Sequence, residues 1–299
     1  MTAIGSTTLV LAGTGKTGRR VVAGLEARDV PVRVGSRRAD PPFDWEDEST
    51  WEPALRGVDA AYAAYYPDAA FPGAARDVGA FAEVAVRCGV RHLVLLADRG
   101  SAEAERCEQA VRDSGAEWTV VRVGFITQNF SEAFLADLVR AGTIALPAGD
   151  VAEPFTDAED IADVAVAALT EGGHAGQVHE ITGPRLLTFA DAVGELSEAT
   201  GREIRYFPVT REQFLSSLIG RGVSAEYATR LADLMVEVFD GRRAHVTDTV
   251  ERVLGRPPRD FAEYARDTAA TGVWGRPPLS PPAKPDVFGK PEHRSTVPT

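Results

Sequence analysis

Short apolar runs, each closed by glycine or polar residues, alternate along the first two-thirds of this chain with stretches whose apolar positions recur every three or four residues. Residues 7–11 form such a run, ended by glycines, as a strand buried on both faces does. Residues 16–27 then carry Val21, Val22 and Leu25 at helical spacing. The same reading predicts strands over 30–34, 59–65, 91–96 and 118–122, separated by helices near 51–55, over 74–88 and over 102–114. Strands joined by helices imply a parallel sheet, doubly wound, with helices on both faces and right-handed crossovers.

After Val123 the rhythm loosens through "GFITQNFSEAF", returns as a helix over 157–169 and gives one more strand over 178–182. From Leu187 onward helices dominate. The expected fold is therefore α/β, with a nucleotide-binding unit over 1–123 and 152–183 and a smaller, mostly helical capping portion over 124–151 and 184–274. The last 25 residues, from 275 to 299, hold seven prolines and no apolar periodicity, so this tail is expected to stay disordered.

Composition narrows the function. No stretch approaches 18 uninterrupted apolar residues and the first residues lack the basic and apolar segments of a signal peptide, so a cytoplasmic protein is expected. A formal charge of −12 opposes binding to nucleic acid or an anionic membrane and leaves a small molecule as the expected partner. Cys88 and Cys107 have neither C-x-x-C spacing nor nearby histidines, so neither a disulfide nor a zinc site is expected. Among 32 basic residues only Lys16, Lys284 and Lys290 are lysines, which leaves Lys16 alone available to a site in the folded region.

The stretch "VLAGTGKTGRR", residues 10–20, carries the sharpest chemistry. Gly15, Lys16 and Thr17 look like the end of a triphosphate-binding loop, but that motif needs a glycine five residues before Gly15, where Val10 stands inside the strand. Gly13, Gly15 and Gly18 instead spell G-x-G-x-x-G between a first strand and a helix, the dinucleotide fingerprint of a Rossmann-type fold. Gly13 permits the turn, Gly15 lets backbone approach the pyrophosphate, Gly18 lets helix and sheet pack, and the helix N-terminus offers N–H groups to phosphate. NAD sites end the second strand in Asp or Glu, whereas this one runs into Ser36, Arg37 and Arg38, which suits the 2′-phosphate of NADP(H). Lys16 or Arg19 would add charge there.

Together with "YYPD", "GVRHLVLL", "SGAEWTVVR" and "PFTDAEDIADVAVAAL", these residues resemble the NmrA-like branch of the atypical short-chain dehydrogenases/reductases, over residues 7–274. That family includes NADPH-dependent quinone oxidoreductases, triphenylmethane-dye reductases and isoflavone-type reductases, and also regulators that bind the dinucleotide without catalysis. The resemblance implies that Gly13, Thr14, Gly15, Lys16, Thr17 and Gly18 hold the pyrophosphate and that Ser36, Arg37 and Arg38 hold the adenosine phosphate. It implies that Tyr65, Ala97 and Val123 lie beside the cofactor, and that Tyr66, Phe125, Gln128 and Asn129 line the substrate side. Tyr65 and Tyr66 also read as core aromatics, and Asn129 as the cap of a helix starting at 130 or 131.

Two departures bear on chemistry. Relatives commonly read Leu-Leu-Ser-Gly where this chain has Leu95, Leu96, Ala97 and Asp98, so a hydroxyl is missing. None of the six tyrosines has a lysine four residues later, and the corresponding positions are Gly100 and Ala104. His92 and His179 fall in strands, His174 in a glycine turn, and no two have metal-ligand spacing. The acidic run "DWEDEST" reads as a solvated loop anchored by Trp45 and Trp51. Two functions stay open: an NADPH-dependent reductase of electron-poor conjugated molecules with no assigned catalytic residue, and a non-catalytic NADP(H)-binding sensor.

Overall fold

The computed structural model describes residues 7–275; the rest of the tail read as disordered lies outside the described residues. Strand β1 (Thr8–Leu11) is buried throughout and feeds through the glycine turn into α1 (Gly18–Glu26). The alternation continues with β2 (Val32–Gly35), α2 (Trp51–Leu55), β3 (Ala60–Ala64), α3 (Ala74–Arg87), β4 (His92–Asp98), α4 (Ala102–Asp113) and β5 (Glu117–Val123). Next come α5 (Asn129–Glu132), α6 (Phe134–Ala141), β6 (Thr143–Leu146), β7 (Ala152–Glu153), α7 (Ala158–Thr170) and β8 (Gln177–Ile181). The chain then runs through β9 (Leu187–Thr188), α8 (Phe189–Thr200), β10 (Arg205–Pro208), α9 (Arg211–Gly220), α10 (Ala225–Val238), α11 (Thr249–Leu254) and α12 (Phe261–Ala270).

Six strands make one parallel sheet in the order β2-β1-β3-β4-β5-β8. Parallel neighbours cannot be joined by a tight turn, so each connection crosses a face through a helix or a long excursion. From β1 the chain steps to one side for β2 and to the other for β3, which makes β1 the switch point. One sheet face packs Val21 and Leu25 of α1 against Ile161 and Ala165 of α7; the other packs Leu55, Phe81, Cys107 and Val111 from α2, α3 and α4. A third apolar cluster, with Phe130, Phe155, Phe189 and Phe261 at its centre, holds the part that follows β5 and β8.

That third part is less purely helical than its sequence pattern. Parallel β6 and β10 pair with Thr143 opposite Arg205, and antiparallel β7 and β9 pair with Glu153 opposite Leu187. These strands are two to four residues long, too short for periodicity to register. Caps fix the helices around them: Asp157 accepts from the Glu159 N–H at α7, and Thr188 with Asp191 closes a capping box on α8. The acidic loop is as expected. Its Asp47 accepts from Ser49 N–H, while buried Trp45 and Trp51 pack with Phe43 and Phe81.

At the sheet's outer edge, Arg33 in β2 folds over the end of α2 and donates to the Ala54 and Arg56 carbonyls (2.8 and 2.7 Å). Among the described residues no helix is long and apolar enough to cross a membrane.

Candidate functional site

All six parallel strands present their C-terminal ends to one side, which brings the turn after β1, the end of β2, the segment after β3 and the ends of β4 and β5 together. Such a crevice at the switch point is where open α/β sheets bind ligands. Within the turn, Gly15 N–H donates to the Ala12 carbonyl (2.7 Å) and Ala12 itself takes a left-handed φ of 50°. The backbone then folds so tightly that a Cβ on Gly18 would lie 2.1 Å from the Ala12 carbonyl oxygen, and one on Gly13 2.9 Å from the Val10 oxygen. Among the described residues no acceptor faces the backbone N–H groups of Thr14, Lys16 and Thr17, and Thr17 caps α1 without a side-chain bond. Free N–H groups at a helix N-terminus, in a turn where Gly13 and Gly18 leave no room for a Cβ, fit a dinucleotide pyrophosphate. Thr17 is itself buried, and its Oγ1 accepts from the Tyr62 hydroxyl (3.1 Å).

At the end of β2, the Ser36 carbonyl accepts from Ala39 and Phe43 N–H and turns the chain outward, leaving Arg37 and Arg38 exposed. Neither arginine has an ion-pair partner among the described residues. The Arg37 guanidinium lies over the Tyr66 ring, 5.9 Å from its centroid, so the structure joins these two positions across the crevice mouth. Tyr66 is 54% exposed, which removes the core-aromatic alternative for it. Tyr65 is half-buried: its ring packs 5.0 Å from that of Trp45 and its hydroxyl donates to Asp77 (2.7 Å), so burial and that bond hold it protonated, far above the usual tyrosine range.

Lys16 crosses to the segment after β5, where its Nζ donates to the Asn129 Oδ1. Asn129 therefore does not cap a helix; α5 begins at Asn129 itself, behind Gln128. Arg20 donates to Glu132 (2.9 Å) and Glu159 (2.6 Å), and Arg19 pairs with Glu132 (2.6 Å), so the start of α1 is tied to α5 and α7. Burial lowers the Lys16 ammonium to about 8, against the opposing pull of Glu132 and Asp68.

Two residues expected on the substrate side are committed elsewhere. Phe125 is 6% exposed and meets Phe130, Phe155, Phe189 and Phe239 in the third core cluster. Gln128 is buried, donating to Asp157 (3.0 Å) and accepting from Ala158 N–H (2.7 Å), so it closes the start of α7. Ala97 and Val123 are buried in β4 and β5, the Val123 carbonyl accepting from Arg99 N–H (2.9 Å). His92 bonds Thr119 (2.9 Å), His174 bonds His179 (2.9 Å), and no metal-ligand group occurs among the described residues.

Other charged residues at these strand ends drew no role from sequence. Arg243, from the loop after α10, is 3% exposed and lays its fork across Asp98 at the end of β4, with both contacts at 3.0 Å. Asp68, two residues past Tyr66, lies within electrostatic reach of Lys16, Arg243 and Asp98. Glu153 on β7 is fully buried with neither oxygen hydrogen-bonded, and burial pushes it up to about 7. The signal for Asp98 was its replacement of a family glycine; Arg243 is 145 residues away and leaves no local pattern.

The NmrA-like family matches residues 42–265. The chain is 33% identical over 284 residues to the NAD(P)H azoreductase of Xenophilus azovorans, spanning 88% of this chain and 98% of that protein. It is 30% identical over 280 residues to prestalk A differentiation protein A of Dictyostelium discoideum, spanning 87% and 91%. Its fold superposes on the NADPH-dependent quinone oxidoreductase of Escherichia coli complexed with NADPH with a TM-score of 0.74 at 22% identity, covering 87% of this chain and 99% of that one.

Proposed function

This chain belongs to the NmrA-like family, and on that premise we propose that it is an NADPH-dependent reductase of electron-poor conjugated small molecules such as quinones, enones or cationic rings. The observation that carries the reading is the pairing of a phosphate-binding glycine turn with two unpaired, exposed arginines at the end of β2, where residues 36–38 include no carboxylate. Named relatives that reduce azo compounds and quinones support the acceptor class.

In this reading the N–H groups of Thr14, Lys16 and Thr17 and the dipole of α1 hold the pyrophosphate, and Arg37 and Arg38 hold the 2′-phosphate. The bound dinucleotide supplies a hydride from its reduced nicotinamide. Lys16 and Asn129 fix one wall of the crevice, and Tyr66 offers a flat, exposed ring on which an acceptor can stack. The portion over 124–151 and 184–274 covers the substrate side. No lysine stands behind a tyrosine here to ease its proton away, so a simple ketone, which gathers negative charge on one oxygen, lacks the usual ~10²–10⁴-fold help of a positioned acid. Acceptors that spread the charge over several atoms need that help least.

Incubating the full chain with NADPH and a panel of quinones, enones and azo dyes, while following the reduced-nicotinamide absorbance, tests the proposal. Oxidation with conjugated acceptors and far less with simple ketones is expected. Tight NADPH binding with no oxidation by any acceptor would overturn it in favour of a dinucleotide sensor.

A further inference from the structure

The chain between α10 and α11 crosses the ends of two sheet strands without an apolar anchor. From Asp240 to Asp248 only Arg243 is buried, and none of these residues belongs to an apolar cluster. Polar contacts hold this strap instead. The Arg243 fork meets both oxygens of Asp98 at the end of β4 (3.0 Å each), and its Nε lies 3.5 Å from where a Cβ on Gly100 would stand. Arg99 donates to the His245 carbonyl (3.0 Å), His245 bonds Glu180 of β8 (2.9 Å), and the Thr247 N–H donates to the Thr182 hydroxyl (2.9 Å). The helix leading into the strap is tethered to the crevice at its other end as well. Tyr227, in the first turn of α10, stacks on Phe71 of the segment after β3, with ring centroids 5.5 Å apart and planes at 27°. Phe239, just past the last turn, packs against Phe125 and Phe189 in the third core cluster. With its strap, α10 therefore reaches from the segment after β3 to the end of β4, two of the walls that bound the crevice.

We propose that α10 and the strap after it form a lid on the acceptor side of the crevice, latched shut by Arg243 on Asp98, and that releasing this pair admits the acceptor. The word acceptor rests on the reductase reading; the latch does not. Arg243 and Asp98 touch no reacting atom in this scheme. They are positioning residues, which hold α10 down and with it the ring of Tyr227 against Phe71. A latched helix limits the thickness of what can enter, so flat conjugated molecules are favoured over branched ones.

The kinds of contact favour a closure that can be undone. Water solvates both partners of a buried charge pair once it opens, so such a pair adds little net stability. Its geometry is nonetheless specific, because a planar fork meets a planar carboxylate in one orientation. Releasing residues 240–248 uncovers no buried apolar side chain, and bonds to protein are exchanged for bonds to water. A segment held in this way opens locally while the core beneath it stays folded.

The test uses the full chain and its Asp98→Asn and Asp98→Glu variants, together with the double variant Asp98→Asn/Arg243→Gln, which spares the fold a buried unpaired charge. Limited trypsin digestion read by mass spectrometry follows cleavage after Arg242, in the strap, against cleavage after Arg112, on α4, in the same sample. Asp98→Asn should speed cleavage after Arg242 about 10-fold and leave that after Arg112 unchanged. The double variant should do the same, and Asp98→Glu should restore most of the protection. With NADPH, both unlatched variants should raise KM for a flat naphthoquinone by a similar factor with kcat nearly unchanged, and narrow the gap between it and a branched analogue carrying a tert-butyl group. Parent-like protection of Arg242 in the folded variants would overturn the lid. So would cleavage that rises equally after Arg112, since the pair would then merely hold the whole fold together. If the parent reduces no acceptor, the reductase reading fails by itself, and the digestion alone decides whether the latch exists.

Discussion

Changing Arg37 to aspartate probes the choice of dinucleotide at its most accessible charge. Arg37 is exposed, has no ion-pair partner among the described residues, and rests over the Tyr66 ring at 5.9 Å. Charge-assisted hydrogen bonds to a 2′-phosphate contribute about 1.5–3 kcal/mol, from which about 0.5 kcal/mol is lost when the guanidinium leaves the tyrosine face. The remaining ~1–2.5 kcal/mol gives the parent a roughly 5- to 70-fold preference for NADPH over NADH. Aspartate removes that attraction and adds a repulsion of about 1 kcal/mol per unit of phosphate charge at contact in water. Its carboxylate also accepts from a bare ribose 2′-hydroxyl. The variant should therefore favour NADH. Calorimetric titration of both dinucleotides at about 0.1 M and 1 M salt measures the effect, and the parent's preference should shrink at high salt as the Debye length falls from about 10 to 3 Å. Equal parent affinities at low salt, or a ratio unmoved by the substitution, would refute the assignment of this strand end to the 2′-phosphate.

Three further outcomes follow from the packing. Gly18→Ala drives a Cβ to within 2.1 Å of the Ala12 carbonyl oxygen, so denaturant titration should show a loss of about 3 kcal/mol or more, and dinucleotide binding should go with it. Ending the chain after Gly275 should leave the melting temperature within about 2 °C of the parent, whereas ending it after Gly272 also removes buried Trp274, whose indole donates to the Phe130 carbonyl (2.7 Å), and should cost about 3–5 kcal/mol. Glu153 has its folded pKa raised from 4.5 to about 7, so the stability it contributes is complete below 4.5 and lost as pH rises to about 7. Glu153→Gln should flatten that decline and, in melts at about pH 8, raise stability by up to ~3 kcal/mol.

Much of the sheet was legible because parallel strands buried on both faces must be apolar along their whole length, and the residues that end them must break it. Residues 7–11 and 59–65 anticipated β1 and β3 to within one residue at each end. The part that follows β5 and β8 was harder to read: β7 and β9 hold two residues each, and α5 and α6 are split by the extended Ala133. The site divides in the same way. Its glycine turn is a contiguous motif and therefore visible. Partners such as Lys16 with Asn129, or Asp98 with Arg243, lie more than 100 residues apart, and nothing in either local sequence announces the other. Glu153 carries no motif of its own, and only the fold brings its carboxylate next to Gly124. Phe125 and Gln128, expected on the substrate side, respectively pack in the third core cluster and close the start of α7, contacts that their own local sequence does not announce.

The outermost position of β2 has a consequence for how this protein can change over evolutionary time. Arg37 and Arg38 extend past the end of an edge strand and belong to none of the three apolar clusters. Substitutions there disturb none of the apolar clusters and only the contact of Arg37 with the Tyr66 ring, so if these arginines hold the 2′-phosphate as proposed, a lineage can drift from one nicotinamide dinucleotide to the other by single steps that the fold barely registers. The turn after β1 has no such latitude, since a Cβ on Gly13 or Gly18 would meet a backbone carbonyl oxygen within 3 Å. Preference among dinucleotides is thus a trait free to vary, while the capacity to bind one is locked into the architecture.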